Sequence, residues 1–380
     1  MKKKRIEFGE LRIGSKAKHN LLDCVSKDWA SAGPKVKEFE QKWGRIFNYK
    51  YNKALSSGTD AGINLVASLY DFGAERGDEV IIPALSFIAT ANAVLAAGFT
   101  PVFVDVNRET LNIDPDKIEA AITPKTRAIK VVHTMGRPCE MDPIVAIAKK
   151  HDLLLFEDSC EAHGAKYKDN YIGTFGDGAT FSYYVAHLIC CGEGGMISTN
   201  NEKVAESVHS TRTHGRKNGD LYFSFDRIGF NSKMNDLEAS LGLEGIGDFK
   251  NTYRTRRTHL FHLMSKTKEY KKYAFFNEQP DHMEVCPHGF SIVLKDAKYD
   301  ISKLCSILDD HNIHWKRNFG CTPTQHKAHE FLGYKLGDFP EAEFVGDNGI
   351  HVGVHQYLSK DDLDRMVEAF TEFFEGIDEA

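Results

Sequence analysis

The stretch 181-FSYYVAHLICCGEGGM-196 carries a serine, two tyrosines, a histidine and two adjacent cysteines ahead of a glycine-rich turn. That make-up suits a loop that anchors a ligand. Ser182 offers a hydroxyl, the 192-GEGGM-196 turn lets backbone approach closely, and His187 offers an imidazole that moves protons near neutral pH. No lysine occurs between Lys168 and Lys203, so the loop holds no primary amine. Taken alone, a single histidine such as His187 is more often structural than catalytic.

Two other stretches carry complementary chemistry. In 56-SSGTDA-61, small residues lie between a strand and a helix, so the amides around Gly58 and the hydroxyl of Thr59 can receive an anion at a helix start. A simple capped turn explains the same residues. In 157-EDSCEAHGA-165, Asp158 ends an apolar strand, where packing gives no reason for a charge. A carboxylate there can hold a pyridinium nitrogen protonated, so that the ring acts as an electron sink, and Glu161 reaches the same region one short turn later. A solvated turn or helix cap is the plainer alternative. Three more polar groups sit in loop-like contexts: His214 in 211-TRTHGR-216, Asn231 in 229-GFNSKMND-236, suited to an oxyanion, and His355 in 351-HVGVHQ-356. His355 alternates with apolar residues and also fits a hydrogen-bonded sheet histidine.

The elements that must position these groups alternate. Strand-like 79-EVIIPAL-85, 100-TPVFVDV-106, 127-RAIKVVHT-134 and 153-LLLFED-158 are separated by helical 88-IATANAVLAAG-98, 116-DKIEAAI-122 and 143-PIVAIAKKH-151. Such alternation predicts a mainly parallel sheet covered on both faces, with ligands at the carboxyl ends of its strands. Beyond about residue 234 the pattern changes to a long polar helix over 234–266, interrupted near its glycines, then mixed strands and helices. Ser359 and Asp362 form a capping-box variant ahead of a closing helix over 360–376. The reading is a large α/β domain over 1–245 and a small α+β domain over 246–380.

Composition narrows the function classes. Of 380 residues, 42% are apolar and 27% charged, ordinary for a globular chain, and the net charge of −6 from mixed signs argues against a general nucleic-acid binder. The MKKKR start lacks a following apolar segment and no run approaches membrane-spanning length, so a cytoplasmic enzyme away from membranes is expected. Eight cysteines at irregular spacings include no CxxC pair, which points to reduced, mostly buried thiols and no metal site.

In order, the motifs SSGTDA, GDEVIIPALSFIATANAVL, PVFVDV, ED…EAHGA, GTFGD, FS…GEGGM, RTHGR and GFN resemble the DegT/StrS sugar aminotransferases, which depend on pyridoxal phosphate. The resemblance runs over nearly the whole chain. It implies the aspartate aminotransferase fold (pyridoxal-phosphate fold type I) and a homodimer with shared active sites. It further implies that Gly58, Thr59 and Ser182 hold the cofactor phosphate, Phe87 stacks on the pyridine ring, Asp158 pairs with the ring nitrogen and Glu161 stands where most members have a glutamine near the ring hydroxyl. Asn231 would reach into the partner's phosphate cup. His187 falls on the position of the Schiff-base lysine.

Imidazole cannot form a Schiff base, but it can still shuttle protons. The resemblance is greatest to the branch with this histidine, the GDP-4-keto-6-deoxymannose type of 3-dehydratase, and it rests partly on Glu161, on the HG at His214 and on the stretch containing His355. It implies a non-covalent cofactor cycling between pyridoxal and pyridoxamine phosphate, a nucleotide-linked 4-keto-6-deoxy sugar as substrate, and L-glutamate as amino donor. A related branch reduces its intermediate through an iron–sulfur cluster held by cysteines, but no cysteine occurs between Cys191 and Cys286. An ordinary sugar aminotransferase and a non-catalytic cofactor-binding relative remain the competing readings.

Overall fold

The computed structural model describes residues 4–217, 219 and 223–378. Seven strands form the central sheet: β1 (Tyr51–Leu55), β2 (Glu79–Pro83), β3 (Thr100–Val104), β4 (Thr126–Val132), β5 (Leu154–Asp158), β6 (Gly178–Ser182) and β7 (Gly195–Thr199), in the order β1-β7-β6-β5-β4-β2-β3. Neighbours from β6 through β3 run parallel, and only β7 opposes both of its partners. The parallel strands read as nearly continuous apolar runs because both of their faces are buried.

Alternation along these strands feeds two cores. Ile81, Ile129, Val131, Leu155 and Phe181 pack on one face with Phe39 and Trp43 of the helix Pro34–Phe47. Val80, Ile82, Ala128, Phe156 and Ile197 pack on the other with Leu65 of the helix Gly58–Ala67. Successive strand residues point to opposite faces, so Glu157 and Asp158 are divided between the two sides. Val132 is the register partner of Asp158, and Lys130 that of Phe156. Lys130 and Asp158 therefore share the face that carries the helix Gly58–Ala67.

Glu157 serves the fold. It is fully buried, and its carboxylate accepts the amides of Gly173 (2.7 Å), Phe175 (2.9 Å) and Gly176 (2.8 Å) while facing His133 Nε2 at 3.2 Å. The GTFGD segment is thus a loop wrapped around one carboxylate.

The expected long helix is two, Asp236–Gly247 and Phe249–Lys266, broken at Asp248. The second sheet is antiparallel, built from β8 (Ala274–Phe276), β9 (Gly289–Leu294), β10 (Trp315–Arg317) and β11 (Gly349–Gly353) in the order β8-β9-β11-β10. The helices Ile301–Asp310 and Lys360–Asp378 belong to the same part of the chain, and a third core joins residues of all these elements with Ile6 from the chain start. Ser359 Oγ accepts from the Asp362 amide (3.1 Å) and Asp362 Oδ2 from the Ser359 amide (3.0 Å), the reciprocal cap read from the sequence.

Candidate active site

A cavity of about 730 Å³ opens at the carboxyl ends of β4, β5 and β6, and residues of β10 and β11 close its far side. At one end lies the start of the helix Gly58–Ala67. Ser57 caps it by accepting the Asp60 amide on Oγ (3.0 Å), and its carbonyl takes the amide of Ala61. Among the described residues this leaves the amides of Gly58 and Thr59 unclaimed, the arrangement that receives an anion. Two glycines make the turn compact: a Cβ on Gly58 would stand 2.7 Å from Ser182 Cβ, and one on Gly195 would stand 2.1 Å from the Ser57 carbonyl oxygen. The last glycine of GEGGM therefore exists to let the anion turn settle against β7.

At the other end stands Asp158. Its Oδ2 accepts from Lys130 Nζ (3.0 Å) and Thr90 Oγ1 (3.1 Å), its Oδ1 takes the Cys160 amide at 3.4 Å, and the Cys160 thiol also donates to the carboxylate. Burial pushes the carboxyl up, but the Lys130 charge and the donors on Cys160, Lys130 and Thr90 outweigh it and hold Asp158 below the usual carboxylate range. Phe87 stands in the cavity wall with 61% of its surface uncovered. An anion cradle, a large apolar face and an anionic acceptor along one cavity fit a phosphorylated, protonated aromatic ring. Glu161, also in the wall, accepts the Met135 amide (2.7 Å) and faces His288 Nε2 at 3.2 Å.

His187 lies between these ends on the loop joining β6 to β7. Arg256, buried in the helix Phe249–Lys266, donates from Nη1 to the Ala186 carbonyl (2.8 Å) and from Nη2 to the His187 carbonyl (3.1 Å), while its Nε donates to Gln356 (2.7 Å). The imidazole is buried between the rings of His163 and His288, at centroid distances of 5.7 and 5.1 Å. Among the described residues its Nδ1 has no hydrogen-bond partner. Burial first, and then the neighbouring basic groups His288, His163, Arg256 and Lys316, push it well below the usual histidine range. His187 is a neutral base.

The same physics makes stability depend on pH. Burial is the leading cause of depression for His163 (to about 3), His355 (to about 4), His351 and His187. A base whose folded value is depressed binds a proton more readily in the unfolded chain, so its stabilising contribution is present above about pH 6.5 and is lost as pH falls. Between pH 7.5 and 5.0 His163 and His355 should each cost about 2 kcal/mol, and His351 and His187 act in the same direction. Urea midpoints at the two pH values check this; an unchanged or higher midpoint at pH 5.0 contradicts it.

Of the residues singled out in the sequence, Gly58, Thr59, Phe87, Asp158, Glu161, Ser182 and His187 line the cavity. Three do not. Asn231 and His214 are exposed on adjoining segments joined by the Thr213–Asn231 and Arg216–Phe225 bridges, outside the cavity wall. His355 lies beyond the end of β11 at Gly353, just ahead of a turn at 356–357, and outside the cavity wall, whereas His351 on β11 lines it. His355 is buried, its Nδ1 accepting the Tyr357 amide (3.3 Å) and its carbonyl facing His259 Nδ1 (3.1 Å). The unforeseen wall residues include Lys130, His288 and His351, and Lys316 lines the wall as well. Only Lys130 left a local signal, a charge inside the apolar strand RAIKVVHT.

A large domain with one antiparallel strand in a parallel sheet, and a cavity at its carboxyl edge, define the fold of pyridoxal-phosphate enzymes of type I. Residues 12–371 match the DegT/DnrJ/EryC1/StrS aminotransferase family, and the chain belongs to that family, whose cofactor is pyridoxal or pyridoxamine phosphate. Similar proteins include the dTDP-4-dehydro-2,6-dideoxy-D-glucose 3-dehydratase of Saccharopolyspora spinosa, 33% identical over 384 residues with 93% of this chain and 83% of that one covered. GDP-perosamine synthase of Caulobacter vibrioides is 40% identical over 240 residues, 63% of this chain and 64% of that one. The solved structure of E. coli GDP-4-keto-6-deoxy-D-mannose 3-dehydratase with bound hydrated PLP is 26% identical with a TM-score of 0.87, covering 96% of this chain and 98% of that one.

Proposed function

We propose that the protein is a 3-dehydratase of a nucleotide-linked 4-keto-6-deoxyhexose, using its cofactor in the amine form and glutamate to restore that form. The observation that carries this reading is His187, a neutral imidazole with an unpartnered nitrogen on the loop where the family resemblance expects a Schiff-base lysine. Gly58, Thr59 and Ser182 would hold the phosphate, Phe87 would cover the ring, and Asp158 would take the ring nitrogen. The bound cofactor supplies an amine and an electron sink.

His187 then acts as the base: a ring nitrogen accepts a proton and returns it to the hydroxyl leaving C3 of the sugar. Arg256 sets the loop so that this ring faces the cavity, and Glu161 orients the His288 imidazole beside it. The exposed segments bearing His214 and Asn231 would complete the cavity of a second subunit, which explains why both lie outside their own. GDP is the nucleotide that the resemblance favours.

A sugar aminotransferase is the second reading, and one observation favours it: the cavity wall holds two lysines. Lys130 is bound to Asp158, but Lys316 lies half-buried with Nζ 4.4 Å from the Phe8 ring centroid, and burial pushes it below the usual lysine range. Borohydride reduction of the cofactor-saturated protein, followed by peptide mapping, separates the two. The dehydratase reading predicts no reduced cofactor on any cavity lysine, and conversion of the bound cofactor to its amine form by glutamate. Cofactor fixed at Lys316 or Lys130 overturns it.

A further inference from the structure

Lys130 is an unusual presence. It is 1% exposed in the middle of an apolar strand, where a charge is costly unless it is paired and hydrogen-bonded. Its Nζ lies 3.0 Å from Asp158 Oδ2, which Thr90 Oγ1 also meets. Gly62, on the helix above, packs beside it: a Cβ there would stand 3.5 Å from Nζ, in ordinary contact. The groups facing the pair are the Thr90 hydroxyl, the Cys160 amide and thiol, and Gly62. No second carboxylate is among these groups, so the pair forms a neutral unit.

That unit presents one oxygen to the cavity. With two donors already on Oδ2, Oδ1 retains acceptor capacity beside the long Cys160 amide contact. An unpaired carboxylate strongly favours a protonated ring nitrogen. A carboxylate already sharing its charge with an ammonium favours it much less, because the cation opposes a second positive charge nearby.

We propose that Lys130 is a positioning residue that fixes the Asp158 carboxylate and weakens protonation of the cofactor ring nitrogen, so that the ring is a milder electron sink than a lone aspartate would make it. The inference rests on Asp158 facing that nitrogen. It holds for the dehydratase and the aminotransferase readings alike.

The test uses pyridoxal phosphate labelled with 15N in the ring, bound to the full-length protein. The 15N shift is followed from about pH 6 to 9, a range in which a modestly stabilised ring nitrogen titrates. In the wild-type protein the nitrogen should lose its proton within that range. In Lys130→Met the midpoint should rise by about 1–2 pH units, while Thr90→Val, which removes a neutral donor, should move it less.

A wild-type nitrogen that stays protonated throughout overturns the proposal without any variant, should Lys130→Met fail to fold. Equal midpoints in wild type and Lys130→Met overturn it as well. Asp158→Asn reports on the underlying assignment: no change there removes Asp158 from the ring nitrogen and the proposal with it. A change in Asp158→Asn with none in Lys130→Met removes only the role of Lys130.

Discussion

Replacing His187 with asparagine is expected to lower the dehydration rate about 1,000-fold, the middle of the range for loss of a positioned acid–base group. Asparagine approximates the volume of the imidazole but cannot accept a proton at neutral pH. The cofactor should remain bound, because its proposed contacts lie on Gly58, Thr59, Phe87, Asp158 and Ser182, on other elements of the cavity wall. Arg256 grips the loop through backbone carbonyls, so the substitution leaves the loop's support intact. Steady-state rates with a competent sugar nucleotide, alongside cofactor absorbance of the purified variant, check both halves. A rate within tenfold of wild type removes His187 from the chemistry, and loss of cofactor reassigns it to binding.

Glu157→Ala is expected to destabilise the protein by about 4 kcal/mol, because it strips the acceptor from three loop amides, and a buried unsatisfied donor costs about 1–3 kcal/mol. His133 Nε2 loses its partner in the same change. Glutamine, which keeps one carbonyl acceptor, should recover about half of the loss. Glu119→Ala is the control: that carboxylate is exposed and pairs with Lys150 and His151, so its removal should cost about 0–1 kcal/mol. Urea denaturation of the three variants gives the ranking. A Glu157→Ala cost no greater than that of Glu119→Ala contradicts the account of the loop.

Neighbours in sequence, Glu157 and Asp158 show what is legible in a chain and what is not. Both announce themselves as charges at the end of an apolar strand. Strand alternation sends them to opposite faces, but which face is the cavity depends on where the helix Gly58–Ala67 packs. The alternating elements of the first 200 residues are legible because burial on both sheet faces leaves little freedom in residue type. Lys130 carries the same signal as Asp158 and lies across the parallel pair from it, a relation set by the register of β4 and β5. His288, just ahead of β9, and His351, on β11, lie far along the chain from the loop they face, and no local pattern marks them. His351 and His355 share one strand parity; only the end of β11 at Gly353 decides between them.

The central claim is that the protein removes a hydroxyl rather than transfers an amine, and product analysis tests it most directly. The cofactor-loaded protein is incubated with excess glutamate and a panel of GDP-, CDP- and dTDP-linked 4-keto-6-deoxyhexoses, followed by mass spectrometry of the sugar nucleotide and an ammonia assay. The account predicts, for one member of the panel, a keto sugar lighter by one oxygen atom, with one ammonia released for each glutamate consumed. A product whose ketone oxygen has been replaced by an amino group, with its 3-hydroxyl retained and no ammonia released, contradicts it.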